Sequence, residues 1–202
     1  MRKIYYFTDA SIYTHDKINI GTSGFVAFNL NLNGNMESGY DEVYNSTSDI
    51  NYLETLAIYL ALSHINNSKN KEDEIIIHTD SNNAYANLKR IIMYYEDEGD
   101  APKFFRFNQF KPIQIQYKNT ADLLYSMVYN GFNIGLRCIK SHCDWIEQKS
   151  ILRQQDINVS DDEAKFICFG NSKADALVHS SSKFYTSKYF KHINEVPFCI
   201  SV

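Results

Sequence analysis

Three consecutive isoleucines, Ile75, Ile76 and Ile77, constrain this chain more than any other feature. Side chains along a strand point alternately to opposite faces, so an unbroken apolar run needs cover on both sides of its sheet. The run leads into Asp80, and residues 84–95 then follow a helical pattern. A sheet-interior strand that delivers a carboxylate at its end, followed by a helix, is the frame into which the other elements must fit.

Upstream, residues 3–8 are aromatic and β-branched and read as a strand that ends at Asp9. Residues 18–32 alternate loosely around Gly21 and Gly24, and Asn33-Gly34 supplies a hairpin turn into a strand over 36–44. Leu53, Leu56, Ala57, Leu60 and Ala61 recur at helical spacing and predict a helix over 51–65. Downstream, helices are expected over 119–129 and 172–184, with a fifth strand over 132–140. Strands first, then helix–strand alternation, predict an α/β fold: a five-stranded mixed sheet, three strands antiparallel and the rest parallel, flanked by helices. The chain has 202 residues, 44% of them hydrophobic, which suits one domain over 1–202. Insertions are expected near 96–118 and 143–170.

Several function classes fall away on composition. No run approaches the ~20 apolar residues that span a bilayer. The opening apolar stretch is too short for a signal peptide and is broken by Asp9, so a cytoplasmic protein without a membrane partner is expected. Cys138, Cys143, Cys168 and Cys199 form no CxxC pair, and His142 beside Cys143 does not repair the irregular spacing. Reduced, mostly buried thiols are the expectation, in preference to zinc. A net charge of −4 argues mildly against bulk attraction to nucleic acid, yet Lys103, Arg106, Lys111 and Lys118 fall in a run without an acidic residue, and residues 183–192 are similar.

Four carboxylates carry the chemistry. Asp9 and Asp80 end strands, and Glu54 and Asp175 are expected early in helices packed on the same sheet. Each has a structural explanation by itself. Asp80 suits a helix cap, Asn51 with Glu54 a capping box, and Asp175 the positive end of a helix dipole. Clustered together they would repel one another unless cations neutralise them, and hard oxygen donors select Mg²⁺ or Mn²⁺. Two such ions ~3.5–4 Å apart activate a water and steady the leaving oxygen of a phosphodiester.

FTDAS at 7–11, NYLETLA at 51–57, HTDSNNAY at 78–85 and GNSKADALV at 170–178 resemble, in order, the four acidic motifs of type 1 ribonuclease H. The resemblance covers most of the chain. It implies endonucleolytic cutting of the RNA strand of an RNA–DNA hybrid, leaving a 5′-phosphate and a 3′-hydroxyl. It implies two metal ions, with Asp9 bridging both, Glu54 also sensing the ribose 2′-hydroxyl, and Asp80 and Asp175 completing the ligand set. Asn51 and Asn82 match residues that touch the hybrid, and Ser11 of the first motif is assigned to substrate contact with them. His142 resembles the family's mobile histidine, which assists water activation or product release. Some members carry a basic protrusion at the position of residues 103–118. Here Phe104, Phe105, Phe107 and Phe110 would stack on the substrate, with Arg106 and Lys111 meeting phosphate.

The chain also departs from the pattern. The loop expected after the first strand, residues 11–24, has no proline. Asp49 stands where a phosphate-gripping threonine is usual, with Thr47 or Ser48 as substitutes. The stretch from His142 to Asp175 is long and holds Asp144, Asp156, Asp161 and Asp162 as rival ligands, although the spacing from Asn171 favours Asp175. No separate hybrid-binding module is expected before the domain. Related exonucleases need D-x-E on the first strand, and Ser11 occupies that place. A resolvase-like, structure-selective nuclease and a catalytically inactive nucleic-acid-binding module remain the alternatives.

Overall fold

The isoleucine strand lies one position in from the edge of a five-stranded sheet in the computed structural model, and both of its faces are covered. The described backbone comprises residues 2–15, 18–30, 36–46, 49–68, 71–106 and 110–195; side chains of 15, 18–19, 30, 36–46, 106 and 185–195 lie outside the description. Strand β1 runs over Lys3–His15, β2 over Ile18–Leu30, β3 over Met36–Ser46, β4 over Glu74–Thr79 and β5 over Asn133–Cys138. Their order is β3-β2-β1-β4-β5; β1, β2 and β3 pair antiparallel, while β4 pairs parallel with both β1 and β5. The expected mixed sheet is therefore present. The Asn33-Gly34 turn lies outside the described residues.

Helices α1 (Ile50–Ser68), α2 (Asn82–Tyr95) and α3 (Pro112–Tyr129) cover one face. There Ile75 and Ile77 join Tyr6, Phe25, Ile58, Leu62, Leu88 and Leu124. Helices α4 (Trp145–Gln154) and α5 (Asp161–Glu195) cover the other, where Ile76 meets Tyr5, Phe7, Phe28, Leu152 and Ile167. Ile75, Ile76 and Ile77 are 3%, 2% and 0% exposed, so consecutive residues of one strand serve two cores.

Three expectations need correction. β1 does not end at Asp9 but continues to His15, because β2 goes on pairing with it through Ile18. The expected loop over 11–24 is thus mostly a β-ribbon. Helix α3 begins at Pro112, where proline at the first turn lacks only an N–H that has no helical partner, and Gln114 Oε1 accepts from the Lys111 N–H at 2.9 Å. The basic-aromatic run is therefore divided. A 3-10 turn over Lys103–Arg106 packs Phe104 and Phe105 against the first core, leaving Phe110 37% exposed. The Arg106 side chain and Phe107 lie outside the described residues.

Residues 143–170, where an insertion is expected, form α4 and the first third of α5. Asp144 caps α4 by accepting from the Glu147 N–H at 2.9 Å, and Ser160 caps α5 by accepting from the Glu163 N–H at 3.1 Å. Asp161, Asp162 and Glu163 in its first turn favour the positive end of α5. Asp175 consequently lies well inside α5, and a dipole role is excluded for it.

Candidate metal centre

Parallel pairing of β1 with β4 ends at Thr8 opposite Thr79. Asp9 and Asp80 are the next residues on each chain, so the register sets the two carboxylates side by side. Opposite Asp9 on β2 stands Gly24, and its neighbour Ser23 donates to the Leu53 carbonyl at 2.7 Å. That bond pins the start of α1 to the sheet and brings in Glu54. One ligand oxygen from each of Asp9, Glu54 and Asp80 lies within 4.8 Å of the others.

Helix α5 delivers the fourth carboxylate. It approaches β1 so closely at Gly170 that a Cβ there would stand 2.1 Å from the Phe7 ring. Further along, Thr22 Oγ1 donates to the Val178 carbonyl at 2.8 Å, and Ser182 Oγ donates to Ser11 Oγ at 3.4 Å. Asp175, between these contacts, borders the same cleft of about 370 Å³ as Asp9, Glu54, Asp80 and His142. The rivals are occupied elsewhere. Asp144 is a helix cap, Asp161 pairs with Lys149, Asp162 pairs with Lys165, and Asp156 sits at a left-handed turn after α4 (φ 61°).

Electrostatics follow from this crowding. Burial pushes Asp9 up to about 8, with Asp80 and then Asp175 adding repulsion against the opposing Ala10 N–H. Burial, then Asp9 and Asp80, holds Glu54 well above the carboxylate range. Burial also raises Asp80, opposed by a hydrogen bond from Asn171 Nδ2 at 3.4 Å and by the positive side of His142. Glu54 Oε2 is buried without a hydrogen-bond partner. Among the described residues no lysine or arginine pairs with Asp9, Glu54, Asp80 or Asp175. Lys140, on the rim, pairs with Glu147. Hard oxygens, an unpartnered buried oxygen and no internal counter-ion fit a divalent cation.

The structural explanations offered by sequence are replaced at α1 and α2. Ser81, not Asp80, caps α2, accepting from the Ala84 N–H at 3.3 Å. Asp49, not Asn51, caps α1, accepting from the Tyr52 N–H at 2.9 Å. The helix is thus capped by the residue that stands where a phosphate-gripping threonine is usual. Asn51 Oδ1 instead accepts from Asn83 Nδ2 at 3.0 Å, joining the starts of α1 and α2 beside the carboxylates. Asn82 Oδ1 accepts from the Cys138 thiol at 3.0 Å. Lys111 is exposed at the start of α3, outside the cleft lining.

Sequence reasoning missed Asn83 and Gln148, and used Asn171 only for its spacing, without its bond to Asp80. Asn171 lies four residues before Asp175 and shares its helix face, a signal present in the spacing. Gln148 is 1% exposed on α4; its Oε1 accepts from the Lys140 N–H at 3.0 Å and the Cys143 thiol at 3.3 Å. It holds the loop whose His142 adopts a left-handed backbone (φ 52°).

No protein-family model matches the chain, and no characterised protein matches it by sequence. Solved structures do. The ribonuclease H domain of prototype foamy virus superposes with a TM-score of 0.59 at 19% identity, covering 91% of this chain and 96% of that one. LC9-RNase H1, a type 1 ribonuclease H with the type 2 active-site motif, gives 0.55 at 13% identity, covering 76% and 70%. The prototype foamy virus protease–reverse transcriptase gives 0.60 at 18% identity, covering 90% of this chain and only 21% of the longer one. The chain has the ribonuclease H-like fold. None of its helices among the described residues is long and apolar enough to cross a membrane.

Proposed function

We propose that this protein is a metal-dependent endoribonuclease that cuts the RNA strand of RNA–DNA hybrids, leaving 5′-phosphate and 3′-hydroxyl ends. The observation that carries this reading is the convergence of Asp9, Glu54 and Asp80 within 4.8 Å, with a buried Glu54 oxygen that has no hydrogen-bond partner among the described residues. Asp9, Glu54, Asp80 and Asp175 would hold two Mg²⁺ or Mn²⁺ ions. Bound there, the ions supply Lewis-acid stabilisation of phosphodiester charge and lower the pKa of water.

The chain's own groups do the rest. Asn171 donates to Asp80 and fixes that carboxylate's orientation. His142, exposed on the rim of the cleft, would pass protons between it and solvent. Asn51, held by Asn83, would meet the ribose side of the hybrid, where the 2′-hydroxyl separates RNA from DNA; Ser11, whose hydroxyl accepts from Ser182 on α5, would contact substrate beside it. Asn82, Arg106 and Lys111 remain assigned to substrate. A groove of about 690 Å³ beside α2, lined by Lys89, Arg90, Lys103 and Phe104 together with Asp100, would extend the phosphate path. The whole chain would act as one domain in the cytoplasm, where its thiols stay reduced.

A panel of labelled substrates in Mg²⁺ and in Mn²⁺ tests the reading: hybrid, single-stranded RNA, duplex RNA, duplex DNA and a four-way junction. Cutting confined to the RNA strand of the hybrid is expected. Cutting of the junction alone would assign the protein to the resolvases. Tight hybrid binding without cleavage at any metal concentration would make it a binding module.

A further inference from the structure

We propose that the free edge of β5 pairs with the same edge of a second copy of this chain, joining two five-stranded sheets into one two-fold symmetric dimer. β5 has a strand beside it on one side only, β4. Ile139, just past its end, donates its N–H to the Thr79 carbonyl at 2.9 Å. Backbone groups alternate in direction along a strand, so residues 133, 135 and 137 turn theirs towards β4, and 134, 136 and 138 turn theirs outward. The chain closes both ends of that outward row itself. The Phe132 N–H donates to the Met127 carbonyl at 3.1 Å, and Gln155 Nε2 donates to the Cys138 carbonyl at 2.8 Å. Between them, no hydrogen bond reaches the outward backbone groups of Ile134 and Leu136 among the described residues.

That short window fits its own copy. Antiparallel pairing about Gly135 sets Ile134 opposite the partner's Leu136, and Leu136 opposite the partner's Ile134, so each pair exchanges both backbone bonds. Gly135 meets the partner's Gly135 in the narrow pair between them, where Cα atoms stand about 4.5 Å apart. A Cβ at Gly135 would find nothing within 4 Å in the single chain, so this space is open to an approaching backbone. Arg137, paired with Glu163 at 3.6 Å, falls opposite the partner's Asn133 and not opposite a second arginine.

Side chains agree with the backbone. Ile134 and Leu136 are only partly buried against the first core, and with Ile92, Met93 and Val128 they wall a groove of about 570 Å³. Val128 is 45% exposed there. Across the axis two such grooves close on each other and take this apolar surface out of water. Lys89 and Glu96 line the same groove, two turns and about 10 Å apart along α2, and neither has an ion-pair partner among the described residues. A two-fold axis reverses the direction of the partner's α2, so Lys89 of each copy faces the partner's Glu96. The surface is its own complement in backbone, apolar side chains and charge, which selects a second copy over an unrelated strand. Lys89 also borders the basic groove beside α2, so pairing draws one cation from the substrate path and leaves Arg90 and Lys103 in place.

Pairing is independent of the nuclease reading. The test is sedimentation velocity of the full chain over a wide concentration range, with amide hydrogen exchange measured at its dilute and concentrated ends. Expected are a monomer–dimer equilibrium and slower exchange of the Ile134 and Leu136 N–H groups in the dimer. Gly135→Lys should keep the melting temperature of the single chain, because the space beside Gly135 is open, and should abolish the dimer by setting two ammonium groups at the axis. Lys89→Glu and Glu96→Lys should each weaken pairing roughly tenfold, since every such contact occurs twice. The double swap should restore it, a recovery that damage to the fold would not give. A monomer at every concentration would overturn the proposal, as would assemblies that grow beyond the dimer. So would a dimer that survives Gly135→Lys, or one in which Ile134 and Leu136 exchange as fast as in the monomer. Should Gly135→Lys not fold, the charge swap decides: a double variant no tighter than the single ones refutes the pairing.

Discussion

Asp9 is the residue at which structure and chemistry oppose each other most directly. It is buried beside two other carboxylates and titrates near 8, against about 4 for an unfolded aspartate. Between those values the folded chain keeps a proton that the unfolded chain has released. Raising the pH through this window therefore costs stability, about 1.4 kcal/mol per pH unit for each such group. The metal-free protein should lose thermal stability steadily from about pH 4 to pH 8. Saturating Mg²⁺ should restore it at the upper end, because the ion binds only the folded, deprotonated cluster. Melting temperatures measured with Mg²⁺ and with a chelator would show this, and Asp9→Asn should flatten the metal-free profile. A metal-free profile that rises or stays level over that range would contradict the assigned electrostatics. Much of this site was legible from residue types alone: four carboxylates in order at the ends of predicted elements. Asn83 and Gln148 were not legible, because each acts through a partner distant in sequence that only the fold supplies.

At the scale of elements, α4 and α5 decide whether the stretch after His142 is a lid or part of the scaffold. Leu152 of α4 is fully buried in the second core. Leu152→Ala should cost about 2–5 kcal/mol, as core truncations do, whereas a substitution in a detached lid would cost almost nothing. Chemical denaturation distinguishes the two. Gly170→Ala tests the packing of α5. Alanine gains about 1 kcal/mol of helix propensity. Its methyl would nevertheless collide with the ring of Phe7, which is fully buried. A net destabilisation of roughly 1–3 kcal/mol is expected, and an unchanged or raised melting temperature would show that α5 sits further from the sheet. These elements were also the least legible. Caps at Asp144 and Ser160 were present in the sequence as D-x-x-E and S-D-D-E, but Gly170 interrupts the helical pattern and masks the first third of α5. By contrast the isoleucine run disclosed both cores, because alternation within three residues leaves no other way to bury them.

Over the whole molecule, an acidic cleft lies at the start of α2, and a groove holding three basic residues beside Asp100 runs along the helix from Tyr85 to Met93. Asp80 and Ser81 line the first, and Lys89, Arg90 and Lys103 line the second without ion-pair partners among the described residues. This arrangement accounts for a net charge of −4 in a protein proposed to bind polyanions. Replacing Lys89 and Arg90 together by alanine should weaken hybrid binding similarly for all sequences and reduce the salt dependence by about one unit of slope per lost phosphate contact. Filter binding across a salt series measures it; an unaltered slope would remove the groove from the substrate path. The most direct test of the central claim is cleavage of the RNA strand of a hybrid at saturating Mg²⁺ by the wild-type chain and by Asp80→Asn. The substitution keeps the shape of the site and removes one ligand charge. The account predicts cutting by the wild type and a loss of about a thousandfold or more in the variant. Equal cutting by both proteins would contradict it.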